Sequence, residues 1–164
     1  MILVVLGTHE LPFTRLLEAV EEAIEVGLIQ EEVIVQVGHT PFTSKHMKLI
    51  NFTSYDEMDR LYDEARVIIT HGGTGSITSG LKKGKTLIAA PRLIKYGEHN
   101  DDHQLEIVNQ FSRTGHLIPW TDEDNFEKVL QRAAHFTPQP FYSGKNNILS
   151  LIESFIDENV KGKN

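Results

Sequence analysis

The residues best suited to chemistry lie in three short stretches. These are GTHE (Gly7 to Glu10), HGGTGS (His71 to Ser76) and the end of PRLIKYGEHNDDHQ (Pro91 to Gln104). The second is a glycine-rich turn with hydroxyls, able to wrap an anion in backbone N–H groups. It runs on through ITSGLKKGKT, so a GxG and a GKT stand in one stretch. A phosphate loop needs GxxxxGK[ST] leading from a strand into a helix. Gly80 and Gly84 are separated by three residues only, and Ser79 occupies the place of the first glycine. Gly84-Lys85 also leaves a helix and enters a strand, so Gly84 is more simply a helix stop. A dinucleotide fingerprint built on Gly73 and Gly75 would need a third glycine where Thr78 stands. Its context is right, however: strand, glycine turn, helix. A helix N-terminus attracts anions in any family. The plain alternative is a tight turn with no ligand.

His99 and His103 are four apart beside Asp101 and Asp102, a spacing that on a helix suggests a metal pair. No helix is predicted across Glu98 to Asp102, and the two aspartates can instead cap the helix that follows. Arg92 and Lys95 are either phosphate contacts or solvated loop charges. His9 is a candidate catalytic base, with a hydrogen-bonding role at a strand end as the alternative. His39, His46, His116 and His135 carry no usable pattern.

These residues are positioned by alternating strands and helices. Ile2 to Leu6 and Val33 to Val37 are apolar runs closed by glycine, as expected of strands buried on both faces. Leu49 to Phe52, Val67 to Thr70, Thr86 to Ala90 and His116 to Ile118 are the further strands. Pro12 opens a helix carrying Phe13, Leu16, Leu17, Val20 and Ile24, and Ser54 to Glu57 forms a capping box for another. Helices follow over Thr74 to Lys83 and Asp102 to Arg113. Thr121 is the expected cap of a helix through Phe126 and Val129, and a last helix presents Ile148 to Ile156. The pattern predicts a doubly wound α/β fold with a parallel sheet, whose ligands bind beyond the carboxyl ends of the strands. The three chemical stretches all fall at those ends.

Composition sets the bounds. A chain of 164 residues, 40% hydrophobic and 24% charged, is ordinary for one globular domain. The net charge of −7 argues against nucleic acid and anionic lipid as general partners. With no cysteine, disulfides, thiolate metal sites and a cysteine nucleophile are excluded. The opening MILVVLG is too short for a signal peptide or a membrane span, so membrane attachment is expected only through a partner.

GTHELPFTRLLEAV, ITHGGTGSI and PRLIKYGEHNDDHQLE, in that order and at consistent spacing over nearly the whole chain, resemble PssE/CpsG-like subunits of bacterial polysaccharide glycosyltransferases. Those are akin to the small catalytic subunit of the eukaryotic dolichol-linked GlcNAc transferase and similar to the C-terminal half of MurG and of glycosyltransferase family 28. The resemblance implies a single Rossmann-like, C-terminal-type GT-B domain over residues 1–160, with 161–164 a frayed tail. It implies a UDP-sugar donor without a metal ion or other cofactor. By the same match His71, Gly73, Thr74, Gly75 and Ser76 face the diphosphate, Gly7, Thr8 and His9 line the cleft, and His103 and Gln104 meet the sugar. Where MurG-like proteins carry a glutamate for the ribose, this chain has Ser79, a weaker grip on two hydroxyls. The acceptor half is expected on a membrane-anchored PssD/CpsF-like partner that presents a lipid-linked acceptor, with this cytoplasmic chain peripheral at the inner membrane. The implied reaction is hexose transfer in capsular or exopolysaccharide synthesis, galactose in β-1,4 linkage favoured over glucuronic acid and GlcNAc. The alternative is a non-catalytic enhancer of the partner. A nucleotide-sugar epimerase would need a Tyr-x-x-x-Lys pair, which is lacking.

Overall fold

The structure, a computed structural model, describes residues 1–142. The strands are β1 (Ile2–Val5), β2 (Val33–Gln36), β3 (Lys48–Ile50), β4 (Val67–His71), β5 (Thr86–Ala90) and β6 (Ile118–Pro119). All pair in parallel in one sheet of order β3-β2-β1-β4-β5-β6. The helices are α1 (Thr14–Glu25), α2 (Tyr55–Glu64), α3 (Thr74–Lys82), α4 (His103–Arg113) and α5 (Phe126–Ala133), with a 3-10 turn at Ile94–Tyr96.

Alternate side chains of the central strands point to opposite faces, which is why those strands are continuous apolar runs. Val4, Leu6, Val35 and Ile69 pack with Phe13, Leu17 and Val20 beside α1 and with Val129 of α5. Leu3, Val5, Ile68 and Leu87 pack with Leu61 of α2, Ile77 and Leu81 of α3 and Val108 of α4. The result is the doubly wound, Rossmann-like α/β fold expected.

The local differences have physical causes. Thr121 does not cap α5: its hydroxyl donates to Asp124 at 2.9 Å in the preceding turn, and the cap is Asn125, which accepts from the Lys128 N–H at 3.1 Å. Half of the expected capping box forms at α2, Ser54 Oγ accepting from the Glu57 N–H at 3.1 Å, while the Glu57 carboxylate pairs with Arg60. At α4 it is Asp101 that accepts from the His103 N–H, at 3.0 Å, and Asp102 instead accepts from the Ile94 N–H at 2.9 Å. β6 is shifted toward Pro119. The predicted helix through Ile148 to Ile156, the boundary at 160 and the tail lie outside the described residues.

Candidate functional site

From β1 the chain works outward through β2 to β3, and from β4 the other way through β5 to β6. The order therefore reverses between β1 and β4, and open parallel sheets bind ligands at the carboxyl ends beside such a reversal. A cleft of about 660 Å³ opens there. Its walls include Gly7 and Thr8 after β1, His71 at the end of β4, and Gly73, Gly75, Ser76 and Ser79 on the turn and first turns of α3. Thr74, His9, His103 and Gln104 are not among the lining residues.

His71 is the hub. Only 7% exposed, its ring sits between two glycines. A Cβ on Gly7 would lie 2.5 Å from His71 Nε2, and one on Gly73 would lie 2.3 Å from its Cε1. Gly72 is required for a different neighbour, since its Cβ would meet the Gln104 Cβ at 2.8 Å. Gly75 differs from all three: outside its own stretch of helix, nothing among the described residues lies within 4 Å of a Cβ there. Glycine at 75 leaves open space on a residue that lines the cleft.

Buried hydrogen bonds hold this arrangement. His71 Nε2 is 3.1 Å from Ser76 Oγ and Nδ1 is 3.2 Å from Gln104 Nε2. Gln104 Oε1 accepts from the N–H groups of Gly72 at 2.9 Å and Arg92 at 3.1 Å. Burial, with the nearby Arg92 charge second, pushes the His71 pKa down to about 3, so the ring is neutral. Tyr62 donates its hydroxyl to the Ser76 carbonyl at 3.0 Å. On the β1 side the Gln36 amide clasps Gly7, accepting its N–H and donating to its carbonyl, both at 2.9 Å.

α3 begins at Gly73, whose absent side chain cannot cap it, so the first-turn N–H groups face the cleft without a capping oxygen. They carry the positive end of the helix dipole. Beneath them lies Arg92, 1% exposed, donating to the carbonyls of Leu6 and Leu11 at 2.7 Å and of Glu98 at 3.2 Å. Arg92 thus anchors the loop after β1 and does not reach out as a phosphate hand; burial lowers its pKa to about 10. The Glu98 carboxylate is bonded by Arg15 at 3.0 Å and accepts the Leu93 N–H at 3.1 Å. Arg92 thus holds the Glu98 backbone while Arg15 holds its carboxylate.

The remaining candidates are placed as follows. His9 is half-buried, stacks on His99 with ring centroids 4.3 Å apart, and accepts the Leu11 N–H on Nδ1 at 3.1 Å. Burial, then His99 and Arg92, lowers its pKa. Neutral and bonded at Nδ1, it presents Nε2–H as a donor, and proton acceptance at Nδ1 requires the Leu11 bond to break. His103 is exposed at the start of α4, its Nδ1 3.6 Å from Asp101, whose carboxylate also lies 3.3 Å from His99. Among the described residues the one cluster with ligand atoms within 4.8 Å of each other is Glu21, Glu25 and His46, outside the cleft lining. Ser79 donates back to the Gly75 carbonyl at 2.8 Å. Lys95 pairs with Asp122. Lys85, of the GKT triplet, donates to the carbonyls of Asp63 at 2.7 Å and Ala65 at 2.9 Å, at the end of α2.

The sequence reading missed the opposite wall, where Phe52, Tyr55 and Asp59 line the cleft, and it missed Gln36. The one available signal was Gln36 itself, an amide interrupting the apolar run VIVQV.

A parallel Rossmann-like sheet with an uncapped helix N-terminus at its reversal point is the nucleotide-binding architecture of GT-B glycosyltransferase domains. The chain belongs to the family of the glycosyltransferase family 28 C-terminal domain, which matches residues 1–158. It is similar to the UDP-N-acetylglucosamine transferase subunit ALG13 of Yarrowia lipolytica, 28% identical with 98% of this chain and 85% of that protein covered. Among solved structures it resembles the NMR solution structure of ALG13, with a TM-score of 0.55 and 21% identity over 92% of this chain and 93% of that one. Acinetobacter baumannii MurG has a TM-score of 0.54 and 17% identity over 80% of this chain. This chain spans 40% of that MurG, so the likeness is of one domain's fold.

Proposed function

We propose that this chain is the donor-binding subunit of a two-component glycosyltransferase that uses a UDP-sugar. The observation that carries the reading is the open Gly75 position beside the uncapped start of α3. Backbone N–H groups of the first turn and the Ser76 hydroxyl would meet the donor diphosphate. They would stabilise the negative charge that grows on departing UDP as the bond to the sugar breaks. The helix dipole and the Arg92 charge, bonded to carbonyls, add positive potential, so no metal ion is invoked. Phe52 and Tyr55, exposed on the far wall, offer aromatic surface to a base.

The similar Yarrowia protein is named as a subunit. The acceptor half, with a lipid-linked acceptor, is therefore assigned to a membrane-anchored partner, which would hold this chain at the inner face of the membrane. No helix among the described residues is long and apolar enough to cross a membrane. The relative's name favours N-acetylglucosamine as the sugar; the resemblance to PssE/CpsG-like subunits favours galactose in β-1,4 linkage for a capsular or extracellular polysaccharide. Titration calorimetry with UDP, UDP-N-acetylglucosamine and UDP-galactose, with and without the partner, tests the reading. UDP is expected to bind, and the sugar that tightens it identifies the donor. Absence of UDP binding in both states refutes the donor site. A second reading, a non-catalytic enhancer, is favoured by the inward bond of Ser79, which spends its proton on the Gly75 carbonyl and leaves one hydroxyl oxygen, not a carboxylate, to accept from two ribose hydroxyls. Unchanged activity of the reconstituted pair after replacement of Gly75 would select it.

A further inference from the structure

We propose that Gln104 is a positioning residue whose amide fixes the tautomer of His71, so that His71 holds the Ser76 hydroxyl as a hydrogen-bond donor aimed into the cleft. The proposal rests on the reading of this cleft as a diphosphate site. It gives Gln104 a role through His71, in place of direct contact with the sugar.

The direction of each bond follows from its neighbour. Gln104 Oε1 faces two backbone N–H groups, Gly72 at 2.9 Å and Arg92 at 3.1 Å, and both can only donate. The amide orientation is therefore settled, and its NH₂ end is the one that lies 3.2 Å from His71 Nδ1. Nδ1 accepts. A second proton on the ring is opposed by burial and by Arg92, so the single proton is on Nε2. Nε2–H then donates to Ser76 Oγ at 3.1 Å, and the serine oxygen is used as an acceptor.

The hydroxyl proton of Ser76 is left to be given away. Its helix neighbours spend theirs on their own backbone: Thr78 on the Thr74 carbonyl at 2.9 Å, Ser79 on the Gly75 carbonyl at 2.8 Å. Ser76 has His71 as its side-chain partner among the described residues, and Tyr62 pins its carbonyl. On the cleft wall at the third position of α3, its proton joins the first-turn N–H groups as one more donor for an oxyanion. The geometry of Gly7, Gly72 and Gly73 fits this purpose. At all three the His71 ring or the Gln104 side chain occupies the space of a side chain, and Gly7 has in addition a left-handed φ of 77°.

The relay can be run backwards. In Gln104→Glu the carboxylate still accepts from the N–H groups of Gly72 and Arg92, and its other oxygen accepts from Nδ1–H. The imidazole proton moves to Nδ1, Nε2 becomes an acceptor, and the Ser76 proton turns inward to it. The cleft then meets an anion with a serine lone pair.

The imidazole nitrogens of ¹⁵N-labelled full chain report the tautomer directly, with no ligand present. Expected is a protonated Nε2 and an unprotonated Nδ1 on His71, reversed in Gln104→Glu. UDP and inorganic pyrophosphate, titrated onto the chain with its partner, should bind about ten- to a hundredfold more weakly to Gln104→Glu and to Ser76→Ala. The double variant should be no weaker than Ser76→Ala alone, because both changes remove the same donor. A proton on Nδ1 in the native chain overturns the proposal without any variant. So do additive losses in the double variant, or a reversed tautomer with undiminished UDP affinity. If the native chain and its partner bind neither UDP nor pyrophosphate, the donor-site reading fails instead. The ligand-free spectrum tells the two failures apart.

Discussion

Gly75→Ala should make the protein more stable and less able to bind its donor. Gly75 is the second residue of α3, its φ is not in the left-handed region, and an alanine Cβ would meet nothing among the described residues within 4 Å outside its own stretch of helix. Alanine in such a position removes backbone freedom from the unfolded chain, worth about 0.5–1 kcal/mol. For a domain of this size that is roughly 1–4 °C in Tm. The added methyl nevertheless projects beside Gly73 and Ser76 on the cleft wall, where a diphosphate would contact backbone. Loss of a charge-assisted hydrogen bond there costs about 1.5–3 kcal/mol, a tenfold to hundredfold weaker Kd. Thermal unfolding without ligand and calorimetry with UDP are the two assays. A lower Tm would refute the claim that the chain itself leaves this position open. Unchanged UDP affinity would refute the claim that the opening serves the donor.

Three further perturbations follow from the same contacts. Gly80→Ala places a Cβ 2.7 Å from Leu87 Cδ1 in the helix–strand interface, so it should destabilise by about 1–3 kcal/mol while sparing UDP affinity; denaturant unfolding that shows no loss disproves the tight packing. Arg92→Met removes donors from the carbonyls of Leu6, Leu11 and Glu98, and a loss of about 1–3 kcal/mol is expected with weaker UDP binding as the loop after β1 loosens; a loss under about 1 kcal/mol would show that Arg92 is not its anchor. For His71 the folded pKa near 3 lies below the unfolded value of 6.5, so between them the unfolded chain takes up the proton and the folded chain does not. Its contribution to stability is whole above pH 6.5 and is lost as pH falls toward 3, by at most about 1.4 kcal/mol per pH unit. Arg92, His99 and His9 face it and push the same way, while the Gln104 bond opposes them. Unfolding free energy should therefore fall less steeply between pH 6 and 4 in His71→Asn than in the native chain, and equal slopes would contradict the buried neutral ring.

The alternation of strands and helices was legible because each buried strand is a short apolar run ended by glycine or, after β5, by Pro91, and each helix shows one apolar stripe. Caps were less legible, since several oxygens compete within a few residues. Thr121 is spent on Asp124, and Asn125 takes the helix. The convergence of GTHE and HGGTGS could be expected from strand ends alone. The opposite wall could not, because nothing in the types or spacing of Phe52, Tyr55 and Asp59 points to a ligand, and they reach the cleft through the loop after β3 and through α2. The functions of Gln36 and Gln104 were hidden for a related reason. Their partners Gly7 and Gly72 lie 29 and 32 residues away in the chain.

The glycines carry the final step. In sequence Gly72, Gly73 and Gly75 read as one phosphate-binding motif, each present so that backbone can approach a ligand. In space Gly73 is compelled by His71, Gly72 by Gln104, and Gly7, after β1, by His71 and by its left-handed φ of 77°. These three would be glycine whether or not a nucleotide ever bound, so their presence argues for the buried imidazole and for nothing outside the protein. Gly75 alone of the turn has no such neighbour among the described residues, and it lines the cleft. The case for a ligand therefore rests on Gly75 and on the proton of Ser76, and it is at those two positions that substitution should separate donor binding from folding.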